Sequence, residues 1–357
     1  MTGVVSAVVL LGVLILVHEL GHFLLAKAVG IKVLKFSLGF GPKIISKKVG
    51  DTEYMLSAIP FGGYVRMYGD EPADEIKAED RHTSFLAQPI YKRALVICAG
   101  SVFNILFAAL LFVFIFMVGV PRPLPVVGEL SKEMPAQKAG LVKGDKITEI
   151  DGQKIKYWEE MTEVVHKSPG KELTFTIETR EGVKSFKITP QKKKVKNLFG
   201  ESEEVGLIGI SPAGDVETVS YSIFESIPLA LQKTFEIIML TILALVKIIQ
   251  KVLPADTIGG PIMIFQLASK QASTGIMSFI MFLAVININL GVFNLFPIPI
   301  LDGGHMVYLL IEAIRRKPLS ERVIMVTQKI GLALILMLMT FAIYNDVLRV
   351  IKGTPIP

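Results

Sequence analysis

The sequence predicts a polytopic α-helical membrane protein with four transmembrane helices, a membrane-associated β-region on the cytoplasmic side and one inserted extracytoplasmic α+β domain. Three observations lead there. The 357 residues are 51% hydrophobic with a mean hydropathy of +0.54, too apolar for a soluble chain of ordinary charge content. Apolar runs at 3–26, 94–118, 276–296 and 323–344 match the length that a hydrocarbon core of roughly 30 Å requires at ~1.5 Å per helical residue. Residues 125–212, between the second and third runs, have instead the mixed composition of a compact soluble module. The net charge of +6 is concentrated beside the apolar runs, as juxtamembrane charge is, so no nucleic-acid partner is expected. The single cysteine, Cys98, excludes an internal disulfide framework and a cysteine-based zinc ribbon.

Residues 1–26 form the first expected transmembrane helix and contain His18-Glu19-Leu20-Gly21-His22. Histidines four apart on a helix share one face, and two neutral imidazoles suit Zn²⁺, with the intervening Glu19 able to take a proton from water. Within 3–26, His18, Glu19 and His22 are the only ionisable residues. Placing an acid at the centre of a span costs roughly 2–3 kcal/mol or more, which favours a functional reading over polar helix-to-helix contact. No Lys or Arg lies in this run, whereas Lys27, Lys32, Lys35, Lys43, Lys47 and Lys48 follow it. The positive-inside rule therefore puts the N-terminus outside and the next segment in the cytoplasm. His18 and His22 then lie within the membrane, nearer its cytoplasmic side. With no basic stretch ahead of the apolar run, a removable signal peptide is not expected.

Residues 27–93 are expected to form a cytoplasmic-side β-hairpin and edge-strand region, from the alternation at 31–68. Phe61-Gly62-Gly63-Tyr64-Val65 is either an edge that accepts an extended peptide or an ordinary hairpin turn. Residues 70–81 read as a solvated loop, with His82 at the surface. Residues 94–119 are the second transmembrane helix, and its Gly100, Asn104 and Ala108 repeat reads as a close-packing face. A hydrogen bond from Asn104 to a catalytic group is the second reading there.

The inserted domain spans 120–213, with a helix expected at 158–166 and strands at 173–179 and 183–189. Residues 214–275 read as an interfacial or re-entrant helical linker, because the longest stretch of 223–253 without Lys or Arg is 234–246 and contains Glu236. A turn is expected at 256–261. Residues 276–305 hold the third transmembrane helix, with Asn287, Asn289 and Asn294, and then Pro297, Pro299 and Asp302-Gly303-Gly304-His305. The prolines stop the helix and leave Asp302 on an irregular turn just past it. Residues 306–357 contain the cytoplasmic Arg315-Arg316-Lys317 and the fourth helix.

A catalytic zinc site takes three protein ligands. Asp302 and His305 are the candidates for the third, since His82 and His166 fall in aqueous segments. For Asp302 to reach His18 and His22, the third helix must run in the same direction as the first, so 223–253 should not cross.

The string Ala139-Gly140-Leu141-Val142-Lys143-Gly144-Asp145-Lys146-Ile147, followed by Ile150-Asp151-Gly152, resembles a PDZ domain of the bacterial protease type. Together with His18-Glu19-Leu20-Gly21-His22 and the Asn-Leu-Phe-Pro-Ile-Pro-Ile-Leu-Asp-Gly-Gly-His string at 294–305, it makes nearly the whole chain resemble the site-2 protease family of intramembrane zinc metalloproteases. The resemblance implies His18, His22 and Asp302 as zinc ligands and Glu19 as the catalytic acid/base. It implies substrate-holding roles for Asn289 and Asn294, and a membrane-dipping β-loop at Gly62, Gly63, Tyr64 and Val65 that pairs with a substrate strand. It further implies residence in the bacterial cytoplasmic (inner) membrane. The implied substrates are single-pass membrane proteins, such as an anti-sigma factor or signal-peptide remnants, with a peptide or chain end bound at the PDZ-like domain. Two departures stand out: one PDZ-like domain where other members carry two, and Ser101 where the familiar pattern has proline. A metal transporter would give Glu19 and the PDZ-like domain no task, and a silent binding scaffold would not need the intact motif.

Overall fold

The computed structural model describes residues 2–71, 76–197, 199–254, 257 and 259–353. Two compact units emerge: Met1–Ile115, Ser226–Leu245 and Pro254–Pro357 make one, and Phe116–Glu225 with Val246–Leu253 the other.

The chain opens on helix α1, Thr2–Ala28. Apolar on nearly every face, it satisfies its backbone groups internally, the one way a single segment can cross hydrocarbon. Strands β1 (Val33–Val49) and β2 (Thr52–Met67) follow. They form more than a hairpin. Phe36 is paired with both Tyr54 and Val65, Ser37 with both Met55 and Tyr64, and Lys47 with Tyr54. Each strand is therefore bent back, and four runs lie side by side in the order 43–49, 52–57, 33–38 and 63–67. Glycines make the bends: Gly39 and Gly41 have φ of +91° and +83°, and Gly62 has +134°, values costly for residues with a Cβ. Phe23 and Ala26 of α1 pack with Ile31, Val33, Phe36, Met67 and Val96, fixing this sheet against the C-terminal end of α1. Helix α2, Ile90–Val118, carries Val96.

The second unit is built on β3 (Val120–Pro123), β4 (Val127–Leu130), α3 (Pro135–Lys138), β5 (Lys146–Ile150), β6 (Gln153–Lys154), α4 (Trp158–His166), β7 (Leu173–Thr179), β8 (Gly182–Ile188), β9 (Gln191–Lys196), β10 (Ser202–Leu207), β11 (Ile210–Pro212) and β12 (Val216–Val219). The central antiparallel sheet runs β6-β5-β7-β8, while β9 pairs with β10, β4 with β11 and β3 with β12. Alternation fixes its core: Leu173, Phe175 and Ile177 of β7 point inward to meet Ile147, Ile150 and Ile188, with Met161 and Val165 of α4 closing over them. The helix and strands expected from the pattern at 158–189 are α4, β7 and β8.

Helix α5, Ile223–Ile249, covers much of the stretch expected to be an interfacial or re-entrant helical linker. The sequence suggested that charges leave too short an apolar stretch for a span. The structure draws one continuous helix of 27 residues, and five described helices are long and apolar enough to cross a membrane, one more than the four expected. The charges do not interrupt it because Lys and Glu are good helix formers; Lys233 lies 3.3 Å from Glu236 and Lys247 2.6 Å from Glu201. Ser222 and Glu225 form a capping box at its start.

The first unit is completed by α6 (Pro261–Thr274), α7 (Ile276–Asn294), α8 (Asp302–Arg315) and α9 (Glu321–Lys352). The turn expected at 256–261 lies partly outside the described residues. Buried Asp346 caps α6, accepting from the backbone N–H groups of Gly260 at 3.1 Å and Met263 at 3.0 Å, which places a carboxylate at the positive end of the helix. Ala7, Leu10 and Leu14 of α1 pack with Ala268 of α6 and with Phe279 and Leu283 of α7. The first halves of α1 and α7 thus lie together.

After α7 the chain leaves helical geometry, and α8 begins at Asp302. Asp302 was expected on an irregular turn and is instead the first residue of a helix. The irregular part ends at Leu301, because Gly303 and Gly304 let the helix start seat directly on the carbonyls of Leu295, Phe296 and Ile298. Arg93 of α2 holds α8 through a bidentate pair with Glu312, at 3.0 and 2.5 Å.

Candidate metal centre

Helical spacing stacks the imidazoles of α1, with the Nε2 atoms of His18 and His22 3.2 Å apart. The start of α8 brings in Asp302, whose Oδ2 lies 3.5 Å from His18 Nε2 and Oδ1 3.6 Å from His22 Nε2. Zinc bonds of about 2.0–2.1 Å in tetrahedral geometry imply ligand–ligand edges of roughly 3.3–3.4 Å. The distance between the two nitrogens is close to that size, and each carboxylate oxygen stands within a few tenths of an ångström of it from one of them. Among the described residues, His18, His22 and Asp302 are the group of His, Cys, Asp and Glu side chains close enough to share an ion.

The hydrogen bonding supplies an independent test of fit. His22 Nδ1 lies 2.8 Å from the Val96 carbonyl oxygen, which can only accept, so the imidazole carries its proton there. Its Nε2 lone pair then faces the Asp302 carboxylate, acceptor against acceptor. A cation between them resolves that arrangement, and two imidazoles with one carboxylate are a donor set zinc favours.

Glu19, between His18 and His22 in sequence, lines a cavity of about 400 Å³ with His22, Val65, Asp302, His305 and Gln328. A Cβ on Gly63 would stand 2.9 Å from Glu19 Cγ, so the bare backbone of the 63–67 run is what allows the β-sheet to approach Glu19. Tyr64 turns the other way and stacks on Phe40, with ring centroids 6.2 Å apart and planes 4° apart. Gly62 makes the bend before it. Asn294, at the end of α7, places Nδ2 3.5 Å from His18 Nδ1. Asn289 lies a turn and a half earlier, and its Oδ1 accepts from Thr241 of α5 at 2.7 Å. His305 lines the cavity but stands outside the metal-binding group. His82 is exposed, near the Glu79 carbonyl, and His166 ends α4 in the other unit.

The sequence profile of peptidase family M50 matches residues 6–338. The chain belongs to peptidase family M50. It is 32% identical to the regulator of sigma-E protease of Escherichia coli, over 96% of this chain and 98% of that protein. It is 36% identical to a protein from Campylobacter jejuni provisionally named a zinc metalloprotease, over 97% of this chain and 93% of that one. A relative of the same provisional name from Agrobacterium fabrum is 34% identical over 96% and 95%. The crystal structure of a PDZ domain from an SdrC-like protein of Listeria innocua aligns at 25% identity and a TM-score of 0.21, covering 26% of this chain and 96% of that one. This M50 member is a zinc metalloprotease of the site-2 protease family.

The sequence read the Gly100, Asn104 and Ala108 repeat of α2 as packing. Gly100 does pack closely on α1, and Asn104 reaches His18 as its second reading had it. A Cβ on Gly100 would stand 2.7 Å from His18 Cε1 and closer still to His22 Nε2. Asn104 Nδ2 lies 3.4 Å from His18 Nδ1. Gly21 in turn seats α1 on the Ala99 carbonyl. Small residues at matched heights on α1 and α2 were the available signal, but periodicity alone cannot say that the facing residues are ligands. Gly100→Ala is expected to weaken zinc binding about 5- to 150-fold, the equivalent of the roughly 1–3 kcal/mol of overpacking that the added methyl imposes on both rings. Chelator competition measures it, and an unchanged affinity would place α2 farther from the ligands.

Proposed function

We propose that this M50 peptidase is an intramembrane endopeptidase that cuts single-pass membrane proteins, such as an anti-sigma factor or a signal-peptide remnant, within or near the bilayer. The observation that carries the reading is the acceptor triad of His18, His22 and Asp302 inside apolar helices, with Glu19 and the Gly63 backbone beside it. A helical substrate hides its carbonyls in i→i−4 hydrogen bonds and must unwind before attack. Freed backbone groups are costly in lipid. The 63–67 run pairs with 33–38 on one side, and its other edge would receive the unwound substrate as an added strand through Gly62, Gly63, Tyr64 and Val65.

Zinc, when bound by His18, His22 and Asp302, supplies Lewis-acid activation of water and of the scissile carbonyl. Glu19, not needed as a ligand, takes a proton from the attacking water on a carboxylate oxygen and delivers it to the leaving nitrogen. The Asn294 amide donates to the developing oxyanion. Asn289, anchored by Thr241, holds the substrate backbone nearby.

Four helices, α1, α2, α7 and α9, cross the bilayer in this reading, with the N-terminus and the inserted module extracytoplasmic and the metal centre toward the cytoplasmic side. The Lys247–Glu201 pair supports α5 as the non-crossing helix, since it returns the last turn of α5 to the inserted module. The module acts as a PDZ-like receptor for a peptide or chain end. A groove of about 280 Å³ lined by Trp158, Met161, Val165, Ile208 and Ile210 suits that role.

Purified protein reconstituted in liposomes with a single-pass reporter tests the proposal. Cleavage is expected, with loss on chelation and recovery on adding Zn²⁺. Passage of zinc into the liposome lumen without reporter cleavage would instead make the polar groups a transport site.

A further inference from the structure

Helix α2 offers one hydrogen-bonding group to each of the three metal-binding side chains: the Val96 carbonyl to His22 at 2.8 Å, the Asn104 carboxamide to His18 at 3.4 Å, and the Ser101 hydroxyl to Asp302 Oδ2 at 3.1 Å. Asn104 and Ser101 are both fully buried. Buried polar groups are normally satisfied, yet Asn104 Oδ1 has no partner.

The unsatisfied oxygen is the acceptor that the neighbouring imidazole lacks. A histidine that binds metal through Nε2 carries its proton on Nδ1 and needs an acceptor there. At His18 Nδ1, two amide nitrogens converge, Nδ2 of Asn104 and, at 3.5 Å, Nδ2 of Asn294. Neither can accept. Rotating the Asn104 carboxamide by half a turn about its terminal bond exchanges Nδ2 for Oδ1 and gives the His18 Nδ1–H its acceptor. The Asn294 amide is then left for substrate.

We propose that Asn104 and Ser101 are positioning residues of the metal centre. Asn104 accepts through Oδ1 from His18 Nδ1–H and so presents the Nε2 lone pair to the ion. Ser101 donates to Asp302 Oδ2 and sets the carboxylate plane. The inference rests on the zinc-protease reading for the identity of the ion, but not on any substrate.

Zinc affinity by chelator competition on the purified full chain, with thermal unfolding of the metal-free protein as a fold check, separates acceptor from packing. Asn104→Leu keeps the volume and removes the acceptor; affinity should fall about 10–100-fold, as loss of an outer partner of a metal ligand does. Asn104→Asp supplies an oxygen that only accepts, and should hold zinc within about threefold of wild type, as carboxylate–histidine pairs do. Unchanged affinity in Asn104→Leu would overturn the role of Asn104. Asn104→Asp no better than Asn104→Leu would overturn it as well. Ser101→Ala removes one hydroxyl without opening much space and is the variant to rely on if either Asn104 variant fails the fold check. Its affinity should fall about tenfold, and wild-type affinity would remove α2 from the control of ligand geometry. Loss of reporter cleavage with zinc binding unchanged in all three variants contradicts the positioning role while leaving the protease reading intact.

Discussion

Glu19→Gln is expected to bind zinc as wild type does, keep the fold, and cleave a single-pass reporter about 10²–10⁴-fold more slowly, the range that a positioned acid–base group contributes. The two consequences separate because Glu19 lies beside the metal-binding triad without belonging to it. Glutamine fills the same space against Gly63 and preserves the close approach of the β-sheet, but a carboxamide cannot accept and return the proton. Substrate should therefore accumulate uncut on the variant, and fragments retained with it would identify the clients. Normal cleavage by Glu19→Gln would remove Glu19 from the chemistry.

Asp302→Ala should act one step earlier, by removing bound zinc. Its carboxylate closes a triangle whose other corners are two nitrogens 3.2 Å apart, and two ligands do not make a closed three-residue site. The loss of affinity should exceed the roughly 10–100-fold that removal of an outer partner causes. The fold should tolerate it, because Asp302 is the first residue of α8 and that helix remains anchored by the Arg93–Glu312 pair. Full zinc stoichiometry in Asp302→Ala would move the third ligand elsewhere, with His305 the next candidate in the cavity.

The parts of the site that the sequence displayed are those governed by spacing. Histidines at 18 and 22 share a helical face whatever packs around them. Pro297 and Pro299 end α7 wherever they stand, which brings Asp302 near the same depth. What stayed hidden depends on neighbours that only folding supplies. Alternation at 31–68 reads as two strands, but the pairing of Phe36 with both Tyr54 and Val65 follows from bends at Gly39, Gly41 and Gly62. Lys233 and Lys247 bound a short apolar run in the sequence, but the partners they meet, Glu236 and Glu201, follow only from the folded chain. Gly100 and Asn104 carry the same small-and-polar signature as any helix-packing face, so packing and a hydrogen bond from Asn104 to the site were both open until the imidazoles opposite were in place.

Zinc K-edge X-ray absorption on the metal-loaded protein tests the shared site most directly. The expected spectrum has a four-coordinate shell of nitrogen and oxygen at about 2.0–2.1 Å with the multiple scattering of two imidazoles, reduced to a disordered or depleted shell in Asp302→Ala. A shell without imidazole scattering, or one unchanged by Asp302→Ala, would contradict closure of the opening helix and the start of α8 around one ion.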